Sequence, residues 1–114
     1  MPHKPSPAKK VYISQELNAA LSHLPETDSK KKMINDMKLQ LLQDKFSGEQ
    51  VTKDRIPRRY REEYGVENLY RYEHLGGYRS CYTIAPIPEH GGCPAILDIL
   101  THEEYNRLFG YKRD

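Results

Sequence analysis

The stretch "LYRYEHLGGYRSCYTI", Leu69 to Ile84, limits the possible folds more than any other part of the chain. Two runs of aromatic and β-branched residues flank Gly76 and Gly77. Such residues fit a pleated, half-buried surface, and a glycine pair between them reads as the turn of a β-hairpin. Side chains alternate along a strand. Arg71 and Glu73 therefore share one face of the first strand, and Tyr70, Tyr72 and His74 share the other. On the second strand Arg79 and Cys81 share a face, with Tyr78, Ser80 and Tyr82 opposite. Across a short hairpin Arg79 approaches Arg71 and Glu73. The charged face fits an ordinary solvated sheet or a catalytic one.

The flanking segments set the fold class. "KVYIS" predicts a first strand over Lys10–Ile13, and Ser14 an N-cap with Glu16 in the first turn. "QELNAALSHL" places Leu17, Ala20, Leu21 and Leu24 at helical spacing, and Pro25 ends that helix. Asp28 or Ser29 caps a second helix with Met33, Met37 and Leu41 on one face, Ile34 and Leu42 beside it, and Gly48 closing it. "GEQVTKDRI" reads as a loop. "PRRYREEY" reads as a short helix between Pro57 at its first position and Gly65 just past its end. After the hairpin, "PIPEHGGCP" is a loop and "AILDIL" a nearly continuous apolar strand, which predicts a central position. Thr101 and Glu104 form a capping box for a last helix that runs to Phe109 and stops at Gly110. Helices segregated from a run of strands mark an α+β domain. The expected architecture is a small antiparallel sheet packed against an N-terminal helix pair, with a short C-terminal helix. Residues 1–9, with three prolines, read as a flexible basic leader, and 10–114 as one domain.

Charge narrows the functional classes. A net charge of +2 excludes a general polycation, so distribution decides. "KDRIPRRYR" gathers Lys53, Arg55, Arg58, Arg59 and Arg61 around one acidic residue, and the tail "YKRD" adds Lys112 and Arg113. These are the candidate RNA-binding residues, since affinity for a phosphate backbone comes from such clusters. A solvated basic face is the plainer reading. Cys81 and Cys93 form no CxxC and no metal-ligand spacing. No metal and no cofactor are expected, and reduced thiols place the protein in the cytoplasm. No apolar run approaches the roughly 18 residues of a membrane-spanning helix, and the leader lacks the apolar stretch of a signal peptide.

The last strand delivers His102 at the first helical position and Tyr105 one turn later. One sheet face then gathers Arg71, Glu73, Arg79, His102 and Tyr105. These residue types suit metal-free RNA cleavage. Glu73 can take the proton of a ribose 2′-hydroxyl. Arg71 and Arg79 can stabilise charge developing on the phosphate. His102 can protonate the 5′-oxygen, because histidine titrates near neutrality. Tyr105 can position the phosphate, and the other tyrosines can stack splayed bases. Each residue also has a plainer reading: Arg71 and Glu73 as an exposed pair, His102 as a helix-start residue, Tyr105 as a core aromatic, His74 as a surface residue.

"LYRYEHLGGYRSCYTI" followed by "AILDILTHEEYNRL" resembles the tail of the RelE/ParE toxin superfamily. The shared pattern is a strand, a Gly-Tyr-Arg turn, a tyrosine-bearing strand, another strand, a His-containing turn and a tyrosine-bearing helix. The resemblance spans roughly residues 10 to 110 and implies a RelE-like fold. It implies one of two activities: ribosome-associated mRNA cleavage neutralised by a cognate antitoxin, or, in ParE-like members, binding to DNA gyrase without nuclease activity. By resemblance, Arg79 is the phosphate-binding arginine, and Arg71 a basic residue of the preceding strand. Glu73 falls where RelE itself has lysine, and a glutamate base nearby is more like the YoeB branch; His102 matches the histidine of the last turn, and Tyr105 the tyrosine of the last helix. The chain departs from the pattern at "HEEY", where two glutamates follow the histidine in place of basic residues. A binding-only member of the fold, acting on gyrase, another protein or RNA, is the alternative reading. A purely structural partner of a neighbouring gene product is the third.

Overall fold

The structure is a computed structural model that describes residues 4–110. A first strand, β1 (Tyr12–Ile13), leads into α1 (Gln15–Ser22). Ser14 starts that helix, its Oγ accepting the Leu17 N–H at 3.1 Å. The same hydroxyl donates to the Leu97 carbonyl at 2.9 Å, so one side chain both caps the helix and fixes it to the far end of the chain. Asp28 caps α2 (Ser29–Gln43) by accepting the Lys30 N–H at 2.8 Å. There follow β2 (Glu49–Val51), a 3₁₀ turn at Lys53–Arg55, and α3 (Arg58–Tyr64). The hairpin strands are β3 (Leu69–Glu73) and β4 (Arg79–Ala85). Last come β5 (Cys93–Ile96) and α4 (His102–Phe109).

The fold is α+β, with four α-helices and a five-stranded mixed sheet in the order β1-β5-β4-β3-β2. The expected all-antiparallel sheet is corrected at β1, which runs parallel to β5 with Tyr12 opposite Ala95. The other ladders are antiparallel, and Glu73 faces Arg79 across the hairpin. Gly76 and Gly77 both have positive φ, which only glycine adopts cheaply.

Each sheet face carries its own core. On one face α1 and α2 bury Leu17, Ile34, Met37 and Leu41 against Tyr82 and Ile96. Burying each such side chain stabilises the fold by about 2 kcal/mol. On the other face α3 and α4 bury Tyr60 and Tyr105 with Leu69, Cys81, Leu97 and Leu100. The sheet is thus the middle of three layers rather than a sheet with helices on one side only.

Three local expectations are corrected. The "GEQV" segment is not all loop, because Glu49–Val51 pairs with Leu69–Arg71 as an edge strand. The second helix ends at Gln43, where the Asp44 N–H returns to the Gln40 carbonyl at 2.9 Å; Gly48 lies beyond it. The "AILDIL" strand stops at Ile96. The Cys81 N–H bonds the Asp98 carboxylate at 2.8 Å instead of a carbonyl, and the ladder resumes only at an Arg79–Leu100 bridge. Residues 4–10 are neither helix nor strand, but Ser6 and Ala8 pair with the backbone of Lys45 and Leu42.

Candidate functional site

Alternation along β3 and β4 places Arg71, Glu73 and Arg79 on the α4 side of the sheet. The backbone bridge between Arg79 and Leu100 has hydrogen bonds of 2.8 and 2.7 Å and brings the start of α4 beside Arg79. Thr101 then caps α4 in a full capping box. The bond from the Thr101 N–H holds the Glu104 carboxyl below its usual range. His102, the first helical residue, is thereby fixed next to the hairpin.

The five sequence-predicted residues meet. The Glu73 carboxylate lies 3.6 Å from Arg79 Nε and 3.8 Å from Arg71 Nη2. Arg79 Nη1 donates to His102 Nδ1. An arginine can only donate, so Nδ1 accepts and the ring proton sits on Nε2. Asn106 Nδ2, one turn along α4, lies 3.1 Å from that nitrogen; two donors do not bond, so with this tautomer the amide is turned over to present Oδ1 there. Tyr105 lies beneath, 2% exposed, with the Arg79 and Arg71 guanidiniums 5.0 and 5.8 Å from its ring centroid. Its hydroxyl is 3.5 Å from Arg71 Nη1. Tyr105 is therefore core and platform at once, since its ring also stacks on Phe109 at 4.3 Å. Neither Arg71 Nε nor Arg79 Nε, both buried, has a hydrogen-bond partner among the described residues.

Two residues of the site were not among the sequence candidates. Glu49, on β2 directly opposite Arg71, forms an ion pair with Arg71 Nη2. Asp98 lies beneath the hairpin, accepting from the Tyr60 hydroxyl and the Cys81 N–H. Loss of water around that carboxylate raises its pKa to about 6. Burial also pushes the Tyr60 hydroxyl and the Cys81 thiol upward. An acidic residue inside an apolar run was the available signal for Asp98; nothing local marked Glu49.

The fold divides the basic sequence cluster. Arg58 and Arg59 pair along α3 with Glu62 at 3.1 Å and Glu63 at 3.5 Å. Arg61 donates to the Lys53 carbonyl. Arg55 borders a hollow of about 200 Å³ with Thr52, Glu49, Arg71 and Tyr105. Lys112 and Arg113 lie outside the described residues. His74 faces the α2 side, half-buried, with Nε2 2.8 Å from Ser80 Oγ; burial lowers its pKa. Among the described residues no cluster of His, Cys, Asp or Glu could hold a metal, and no helix is long and apolar enough to cross a membrane.

No family model, no curated protein and no solved structure matches this chain.

Proposed function

We propose that this chain is a RelE-like domain whose hairpin face acts on RNA phosphodiesters as a ribosome-associated mRNA interferase. The observation that carries this reading is the convergence of Arg71, Glu73, Arg79 and His102 on one sheet face above Tyr105. In the proposed reaction Glu73 takes the proton of the ribose 2′-hydroxyl, and the 2′-oxygen attacks phosphorus. The bond from phosphorus to the 5′-oxygen breaks, and His102, as an imidazolium that has released the Arg79 contact at Nδ1, gives its Nε2 proton to that leaving oxygen and is left neutral. The products are a 2′,3′-cyclic phosphate and a 5′-hydroxyl. Arg79 and Arg71, braced on Tyr105, supply fixed donors to the charge that builds on the phosphate oxygens. A cognate antitoxin in the cytoplasm is the corresponding protein partner.

A second reading has an observation of its own. Glu49 and Glu73 neutralise the two guanidiniums, and Glu103 and Glu104 follow His102, so the face is less cationic than RNA cleavage favours. That balance suits a binding-only member acting on a protein such as gyrase.

The test is incubation of purified protein with translating ribosomes and mapping of mRNA 5′ ends, with Arg79→Ala alongside. Cuts that vanish in the variant support the nuclease reading. Absence of cuts from protein that binds ribosomes or an antitoxin moves the assignment to the second reading.

A further inference from the structure

We propose that Glu49 is a built-in competitor for phosphate at Arg71, a carboxylate that an incoming phosphate group must displace. This inference rests on the phosphate-handling reading of the same face and adds a residue that the reading does not use. Glu49 stands on a three-residue edge strand, directly across from Arg71, with its side chain 75% exposed. The Arg71 side chain is 22% exposed, so the arginine is the fixed partner and the glutamate the movable one. Arg71 cannot retreat: Tyr105 lies under its guanidinium and the tyrosine hydroxyl holds Nη1. Two hollows of about 200 and 350 Å³ are both lined by Glu49 and Arg71. Both the arginine and the carboxylate thus border open space. A carboxylate and a phosphate both take charge-assisted hydrogen bonds from arginine, so a phosphate that uses Nη2 competes with Glu49 for that nitrogen. Glu73 differs, because it bridges Arg71 and Arg79 from within the hairpin.

Inorganic phosphate is the probe, followed through the Arg71 Nε–H signal of ¹⁵N-labelled full-length protein. Glu49→Gln lowers the half-saturating phosphate concentration at Arg71 about threefold, the scale of releasing one exposed ion pair. Glu62→Gln, which removes an equal charge from the Arg58 pair on α3, leaves the Arg71 titration unchanged. Glu49→Ala reproduces the Gln result, with the β2–β3 amide signals reporting that the ladder is retained. Equal titration of wild type and both Glu49 variants overturns the inference, as does an equal gain from Glu62→Gln. Mapping of mRNA ends runs separately. Phosphate competition without cuts keeps the Glu49 inference and removes the nuclease reading; cuts without competition do the reverse.

Discussion

The Tyr60 hydroxyl of α3 donates to the Asp98 carboxylate, which lies 38 residues away and also takes the Cys81 N–H. One acidic side chain thereby joins the helix, the central strand and the approach to α4. Asp98→Ala leaves a buried hydroxyl and a buried amide without their acceptor. Each such group costs about 1–3 kcal/mol, so we expect a loss of about 3 kcal/mol in chemical denaturation. Tyr60→Phe removes the donor instead and costs about 1 kcal/mol.

The same carboxylate sets a pH dependence. Its folded pKa is raised from 3.8 to about 6. The folded protein therefore binds this proton more tightly than the unfolded chain. The stabilisation is fully present below about pH 4 and is lost as pH rises through about 6. A shift of that size corresponds to about 2–3 kcal/mol. Unfolding free energies of wild type and Asp98→Asn, measured from pH 4 to 7, should differ in slope across that window. Parallel curves would contradict the assignment.

Gly48 is held for lack of space. A Cβ there would stand 2.5 Å from the Arg71 carbonyl oxygen and 2.8 Å from Tyr82 Cε1. Its N–H also donates to the Tyr82 hydroxyl at 2.9 Å. Gly48→Ala should destabilise by about 1–3 kcal/mol, the usual range for overpacking. It should also shift the β2–β3 amide resonances, because the clash is with strand backbone.

Arg79 sets the state of His102. With the Arg79 donor on Nδ1, the wild-type ring carries its proton on Nε2. Arg79→Ala releases that constraint, and long-range ¹H–¹⁵N spectra at high pH should show a mixture of tautomers. If the protein cuts RNA, the same variant should lose about 100-fold or more in rate, as when one transition-state donor is removed.

Tyr105 separates packing from chemistry. Tyr105→Phe keeps the ring under both guanidiniums and removes only the hydroxyl near Arg71. Stability should change by less than about 1.5 kcal/mol. Tyr105→Ala removes a fully packed aromatic and should cost about 3–5 kcal/mol. Thermal unfolding of the pair gives the comparison.

The hairpin was legible because its signals are local. Period-two alternation put Arg71, Glu73 and Arg79 on one face, and a glycine pair fixed the turn. The capping box at Thr101 was equally readable, since both partners lie within one turn of helix. β2 was not legible, because "EQV" has no alternation and becomes a strand only through pairing with Leu69–Arg71. Asp98 sat inside an apolar run, and its partners Tyr60 and Cys81 are brought to it by tertiary structure alone. Glu49 owes its place to strand register, which no single segment encodes. The parallel seating of β1 on β5 was hidden for the same reason.

That seating has a consequence for how the protein is made. β1 pairs with Ala95 and Ile96, and Ser14 reaches forward to Leu97. During synthesis β1 thus waits for β5, the last strand of the sheet, before it has a strand neighbour. His102 follows a few residues later, anchored by Arg79 through the Leu100 bridge. A nascent chain halted before Cys93 holds Arg71, Glu73 and Arg79 but lacks β5 and the helix that brings His102. The charged face is complete only once α4 has been added to the sheet.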